Sequence, residues 1–134
     1  MSYETTLTGE IQINPPLAWR DVQGSVFLEI NAQLIKIGRQ LRFVIEETQV
    51  ETNEGTLIRK EAVALVPTHS NWGSPETMQK HLQELVDAFP DRIYTGRIDG
   101  HGEDRDDVDT WRLKVISGYA RVFRPEIVWE KESE

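Results

Sequence analysis

The sequence predicts one α+β domain built on a mainly antiparallel sheet of about five or six strands. Three observations carry that prediction. Apolar and polar residues alternate over several stretches, as in Leu7, Ile11 and Ile13 against Thr6, Thr8, Glu10 and Gln12; a period of two marks a half-buried strand. Short glycine-bearing turns, "TNEG" at 52–55 and "SG" at 117–118, join such stretches, and joints of that length make hairpins. A single segment, 75–89, has a long apolar stripe at helical spacing. Hairpins and meanders give antiparallel pairing, with one sheet face covered by helix and the other more exposed.

Each element follows from its residues. "TTLTGEIQI" (5–13) reads as the first strand, broken by "NPP" (14–16). Proline is tolerated at the first helical position, so a short helix is expected at about 16–23, stopped by Gly24 and docked through Leu17, Trp19 and Val22. Residues 25–39 fit a weak helix or an irregular crossing segment. "QLRFVIEETQVE" (40–51) and "TLIRKEAVALVP" (56–67) read as paired strands, and "THSNWGS" (68–74) as a loop. Ser74 is a good N-cap, Pro75 suits N1, and Glu76 in the first turn favours the helix dipole. Met78, Leu82, Leu85 and Phe89 then form one stripe, and Pro90 ends the helix. "RIYTGRID" (92–99) reads as a strand, the acidic stretch after it as a loop, and "TWRLKVI" (110–116) as a strand. "YARVFRPEIVW" (119–129) returns through the "SG" turn. That turn places Trp111, Leu113 and Val115 on one face with Ala120 and Val122. Pro125 bends the last strand or puts it at an edge, and the tail is expected to fray from about 130.

Composition excludes several function classes. At 134 residues the chain is long enough to bury a core without disulfides or a structural metal. It has no cysteine, which removes disulfides and cysteine-based zinc sites and fits a reducing, cytoplasmic setting. The start, "MSYETTLTGE", has no signal-peptide pattern. The longest apolar run, "AVALV" (62–66), is far too short to span a bilayer. There are 23 acidic side chains against 15 basic ones, a net charge of −8. The bases are scattered along the chain and the acids clustered, which argues against direct nucleic-acid binding and against an anionic membrane. The sequence itself does not specify monomer or homodimer.

Catalytic signatures are absent. "GHGEDRDDVDTW" (100–111) invites a calcium reading, but an EF-hand loop started at Asp104 meets Val108 at position 5, Asp109 where glycine belongs, and no closing glutamate. His69, His81 and His101 have no spacing that would set two on one helix face for zinc. His81, beside the apolar stripe, reads as a partly buried helix residue. No cofactor is expected. No nucleophile elbow, S-x-x-K or phosphate cradle is present, and "GHG" (100–102) lacks the helix behind it that such a cradle needs.

What remains is charge. Asp99, Glu103, Asp104, Asp106, Asp107 and Asp109 face only Arg105 in their stretch, and Glu46, Glu47, Glu51 and Glu54 form a second acidic cluster. The expectation is a non-enzymatic interaction protein, an inhibitor or immunity-type factor, whose two clusters meet a basic or nucleic-acid-binding protein. Trp72, in the loop "SNWGSP", is a candidate interface anchor. One alternative is a metal-assisted hydrolase using His101, Glu103, Asp104 and Asp106. Another is a small-ligand binder on the exposed sheet face.

Four stretches carry a resemblance: "GEIQINPPLAWRDV", "RFVIEETQVETNEGTLIRKEAVALVPT", "HLQELVDAFPDRIYTGRIDGHGED" and "WRLKV…RPEIVW". Over nearly its whole length the chain resembles a family of small proteins of unknown function from actinobacteria and their phages. The departures are an ending "IVWEKE" in place of "IVWP" and a longer acidic loop. The resemblance implies a bacterial or phage cytosolic setting and carries no catalytic residue across.

Overall fold

Strand β1 (Thr5–Ala18) runs through the middle of a six-stranded sheet. The computed structural model describes residues 5–28, 39–69, 73–102 and 110–126. After β1 come a single helical turn, α1 (Trp19–Val22), and the hairpin of β2 (Leu41–Thr52) and β3 (Gly55–Pro67). Helix α2 (Pro75–Ala88) leads to β4 (Ile93–Gly102), β5 (Thr110–Ile116) and β6 (Tyr119–Phe123). The sheet order is β2-β3-β1-β4-β5-β6, and every pairing is antiparallel. The expected α+β architecture is the one observed.

The period of two decides the faces. Leu7, Ile11, Ile13 and Leu17 of β1 are buried, with Phe43, Leu65, Ile98, Trp111 and Leu113 from the neighbouring strands. Helix α2 covers this face with Met78, Leu82, Leu85 and Val86. Its N-terminus is built as the residues predict. Ser74 accepts a 3.5 Å hydrogen bond from the Thr77 N–H, and proline follows at N1. Two glutamines also bond the backbone of Ala120 on the edge strand β6. Gln79 Nε2 donates to the Ala120 carbonyl at 2.9 Å, and the Ala120 N–H donates to Gln83 Oε1 at 2.7 Å. On the far edge the Phe43 N–H donates to the Phe27 carbonyl at 2.9 Å.

Three expectations need correction. The "NPP" stretch does not end β1, which continues to Ala18. The β1–β3 register shifts between Gln12 and Leu17, and prolines are tolerated at such an irregularity because no ladder hydrogen bond is asked of them. The short helix therefore shrinks to Trp19–Val22. Finally, β4 runs on to Gly102, so "GHG" is strand, with His101 opposite Thr6 on one side and Thr110 on the other. Gly100 is needed there. A Cβ would sit 2.2 Å from the Trp111 ring, which covers this glycine from the core side.

Candidate functional site

The acidic residues are placed by strand geometry. Asp99 projects from the sheet face opposite α2, and it is already neutralised. Its carboxylate accepts from Arg112 Nε at 2.8 Å and Arg112 Nη2 at 3.4 Å, and Arg97 Nε lies 3.4 Å away. The Asp99 side chain keeps only 18% of its exposure. Glu103, Asp104, Asp106, Asp107, Asp109 and Trp72 lie outside the described residues.

Glu46, Glu47, Glu51 and Glu54 sit on a different feature. Beyond the point where Ala18 pairs with Glu61, β1 turns away into α1, while β2 and β3 continue as a two-stranded arm closed by Asn53 and Glu54. Every residue from Glu46 to Lys60 is exposed. Register gives the arm two faces. Glu46 opposes Glu61, Thr48 opposes Arg59 and Val50 opposes Leu57 on one; Glu47 opposes Lys60, and Gln49 opposes Ile58, on the other. Val50, Leu57 and Ile58 are 42%, 57% and 55% exposed. At the root, Lys60 Nζ lies 5.2 Å from the centre of the Trp19 ring. Residues 46–61 hold five carboxylates against two cations, a net of −3.

The arm and Asp99 are not neighbours. Asp99 pairs with Thr8, whereas Glu46 pairs with Glu61, which pairs with Ala18. Thr8 and Ala18 are ten residues apart on β1, but Gln12–Leu17 spans only Ala64–Ala62 of β3, so the separation along the sheet is that of about seven strand residues, roughly 20 Å at about 3.3 Å per residue. The structure does not bring the described members of the two acidic groups together.

The histidines have separate surroundings. His81 is buried in α2, and its Nδ1 accepts a 3.4 Å hydrogen bond from the Gln40 N–H. Burial first, then the positive charge of Arg39, lowers its pKa below 6.5; this is a neutral structural histidine, as its place beside the apolar stripe suggests. His101 Nδ1 lies 3.2 Å from Thr110 Oγ1. It borders a groove of about 260 Å³ with Asp99, Arg112, Phe123 and Pro125. Among the described residues no three histidine, aspartate or glutamate side chains gather as a metal site would require. No helix among them is long and apolar enough to cross a membrane.

Two sets of surface residues escaped the sequence reading. Val50, Leu57 and Ile58 look like core positions of a strand, but they lie where the β2–β3 hairpin runs past the buried core. Arg97, Arg112 and Arg121, which are exposed, and the half-buried Lys114 are dispersed along the chain but share the face of β4, β5 and β6 opposite α2. A signal for the second set was present: the two-residue turn fixes Lys114 opposite Arg121 and Arg112 opposite Phe123.

The whole chain, residues 1–134, matches the model of a family of unknown function, DUF6205. The chain belongs to that family. No curated protein and no solved structure matches it. For this DUF6205 member, function has to be argued from the surfaces just described.

Proposed function

We propose that this DUF6205 protein is a non-enzymatic docking protein whose β2–β3 arm engages a basic protein. The observation that carries the reading is the run of fifteen exposed residues from Glu46 to Lys60. A two-stranded ribbon alone is marginally stable in water, and large apolar side chains left open on one mark an interaction surface. The carboxylates around them supply attraction and orientation for a basic partner, while Val50, Leu57 and Ile58 supply area to bury. The inhibitor or immunity-type role, the bacterial or phage setting and the cytoplasmic location belong to this same reading.

The test is affinity capture from host lysate at low and high salt, comparing the wild type with a variant combining Val50→Ser, Leu57→Ser and Glu51→Lys. A basic protein held by the wild type, released at high salt and missed by the variant is the expected result. Equal capture by the variant, or a partner with no basic surface, would remove the arm from the account.

A further inference from the structure

We propose that the β4–β6 half of the sheet face opposite α2 binds single-stranded nucleic acid. The fold gathers there what the chain disperses. Glu10 of β1 opposes Arg97 of β4, and Lys114 of β5 opposes Arg121 of β6. With Asp99 opposite Arg112 and Ile98 opposite Leu113, the same register carries Arg97 to the level of Lys114. Arg97, Lys114 and Arg121 thus form a row of three cations across three strands, about 5 Å apart from strand to strand. The next row holds Asp99, Arg112 and Phe123.

Charge in this region is unbalanced. Asp99 takes up Arg112 and touches Arg97. Neither Lys114 nor Arg121 has an ion pair among the described residues, although like charges directly opposite each other destabilise a sheet. An anion across the row would remove that cost. Aromatic rings flank it on β6. Phe123 is 42% exposed and Tyr119 is 62% exposed, with Ile116 beside Tyr119. Cations that follow a phosphate backbone, interleaved with rings on which bases stack, make a single-strand platform.

Two arguments separate this occupant from an acidic peptide. Peptide strands commonly add to a free sheet edge, but the Ala120 backbone at the β6 edge is already bonded to Gln79 and Gln83. Exposed rings also match the π-face of a base, which an acidic side chain lacks. The net charge of −8 does not decide against the proposal. Charges beyond a screening length of about 8 Å are largely damped at physiological salt; the acidic arm stands outside that range, and the carboxylates of 103–109, which join β4 to β5 in the chain, lie outside the described residues.

The experiment uses the full chain and fluorescence anisotropy with labelled oligothymidylate and oligouridylate of about 12 nucleotides, a duplex of equal length, and polyglutamate as competitor. Expected are binding at low salt with a log–log salt slope of about −2, as three neutralised phosphates on a single strand require, and weaker binding of the duplex. Arg121→Glu should reduce affinity about tenfold or more while leaving the melting temperature equal or higher, because the new carboxylate would face Lys114. Phe123→Ala should cost about fivefold or more. No binding at low salt, displacement by polyglutamate at equal charge concentration, or unchanged affinity in both variants would overturn the proposal. The arm variant described above should bind the oligonucleotides like the wild type, so either proposal can fail without the other.

Discussion

Gln40 and His81 show how single residues tie the helix to the sheet. Gln40 is buried beside the start of β2. Its Oε1 accepts from the Ser74 N–H at 2.7 Å, its N–H donates to His81, and its carbonyl accepts from the Thr68 N–H at 2.9 Å. His81 must be neutral to accept that bond, and its charge is set first by burial, then by the positive Arg39, the negative Glu84 and the positive Lys80. Its folded pKa lies below the unfolded value, so between the two the unfolded chain binds more protons. The stabilising contribution is complete above about pH 6.5 and is lost as pH falls toward the folded pKa. Urea midpoints measured from neutral to mildly acid pH should therefore decline, and His81→Asn should flatten part of that decline. An unchanged pH profile in the variant would show that His81 is not the titrating group. Tyr94 works in the opposite sense. Its hydroxyl donates to the Phe89 carbonyl at 2.8 Å and burial raises its pKa to about 12, so its share of stability is lost as pH rises from about 10.

At the scale of elements, the β1–β4 pair depends on two glycines. Gly9 and Gly96 have φ of +99° and +89°, a region that side chains other than glycine rarely adopt. A Cβ at Gly96 would lie 2.5 Å from the Glu10 carbonyl oxygen, and one at Gly9 would lie 2.2 Å from that of Arg97. Gly96→Ala should accordingly destabilise the fold by about 2–4 kcal/mol, read from denaturant unfolding. A cost below about 0.5 kcal/mol would mean that the backbones separate freely. The β5–β6 turn obeys the same geometry in milder form: Ser117 and Gly118 have φ of +51° and +81°, as a two-residue turn of matching twist requires. Hairpins, the α2 cap and the buried stripe were legible in the sequence because they rest on neighbours a few residues apart. The strand through "NPP" and the extension of β4 to Gly102 were not, because distant strands decide where pairing continues.

For the whole molecule, the division of labour between core and arm makes its own prediction. The buried cluster draws on β1, α2 and the inner halves of the other strands, and none of it lies between Glu46 and Lys60. Replacing residues 48–59 by an Asn-Gly turn should shift the melting temperature by no more than about 5 °C while abolishing the partner capture assigned to the arm. Global unfolding of that variant would show that the arm is structural. Read alone, the sequence determined the α+β class, the amphipathic helix at 75–89, the hairpins and the location of the acids along the chain. All of these follow from local periodicity, turn chemistry and composition. Only the tertiary structure decided that Asp99 is neutralised by Arg97 and Arg112, that the arm starts roughly 20 Å along the sheet from it, and that three cations line up across β4–β6. The physical reason is that strand register joins residues far apart in sequence. A side chain's charge is written in the chain, but its neighbours, and therefore the field it contributes to, are set by which strands lie side by side.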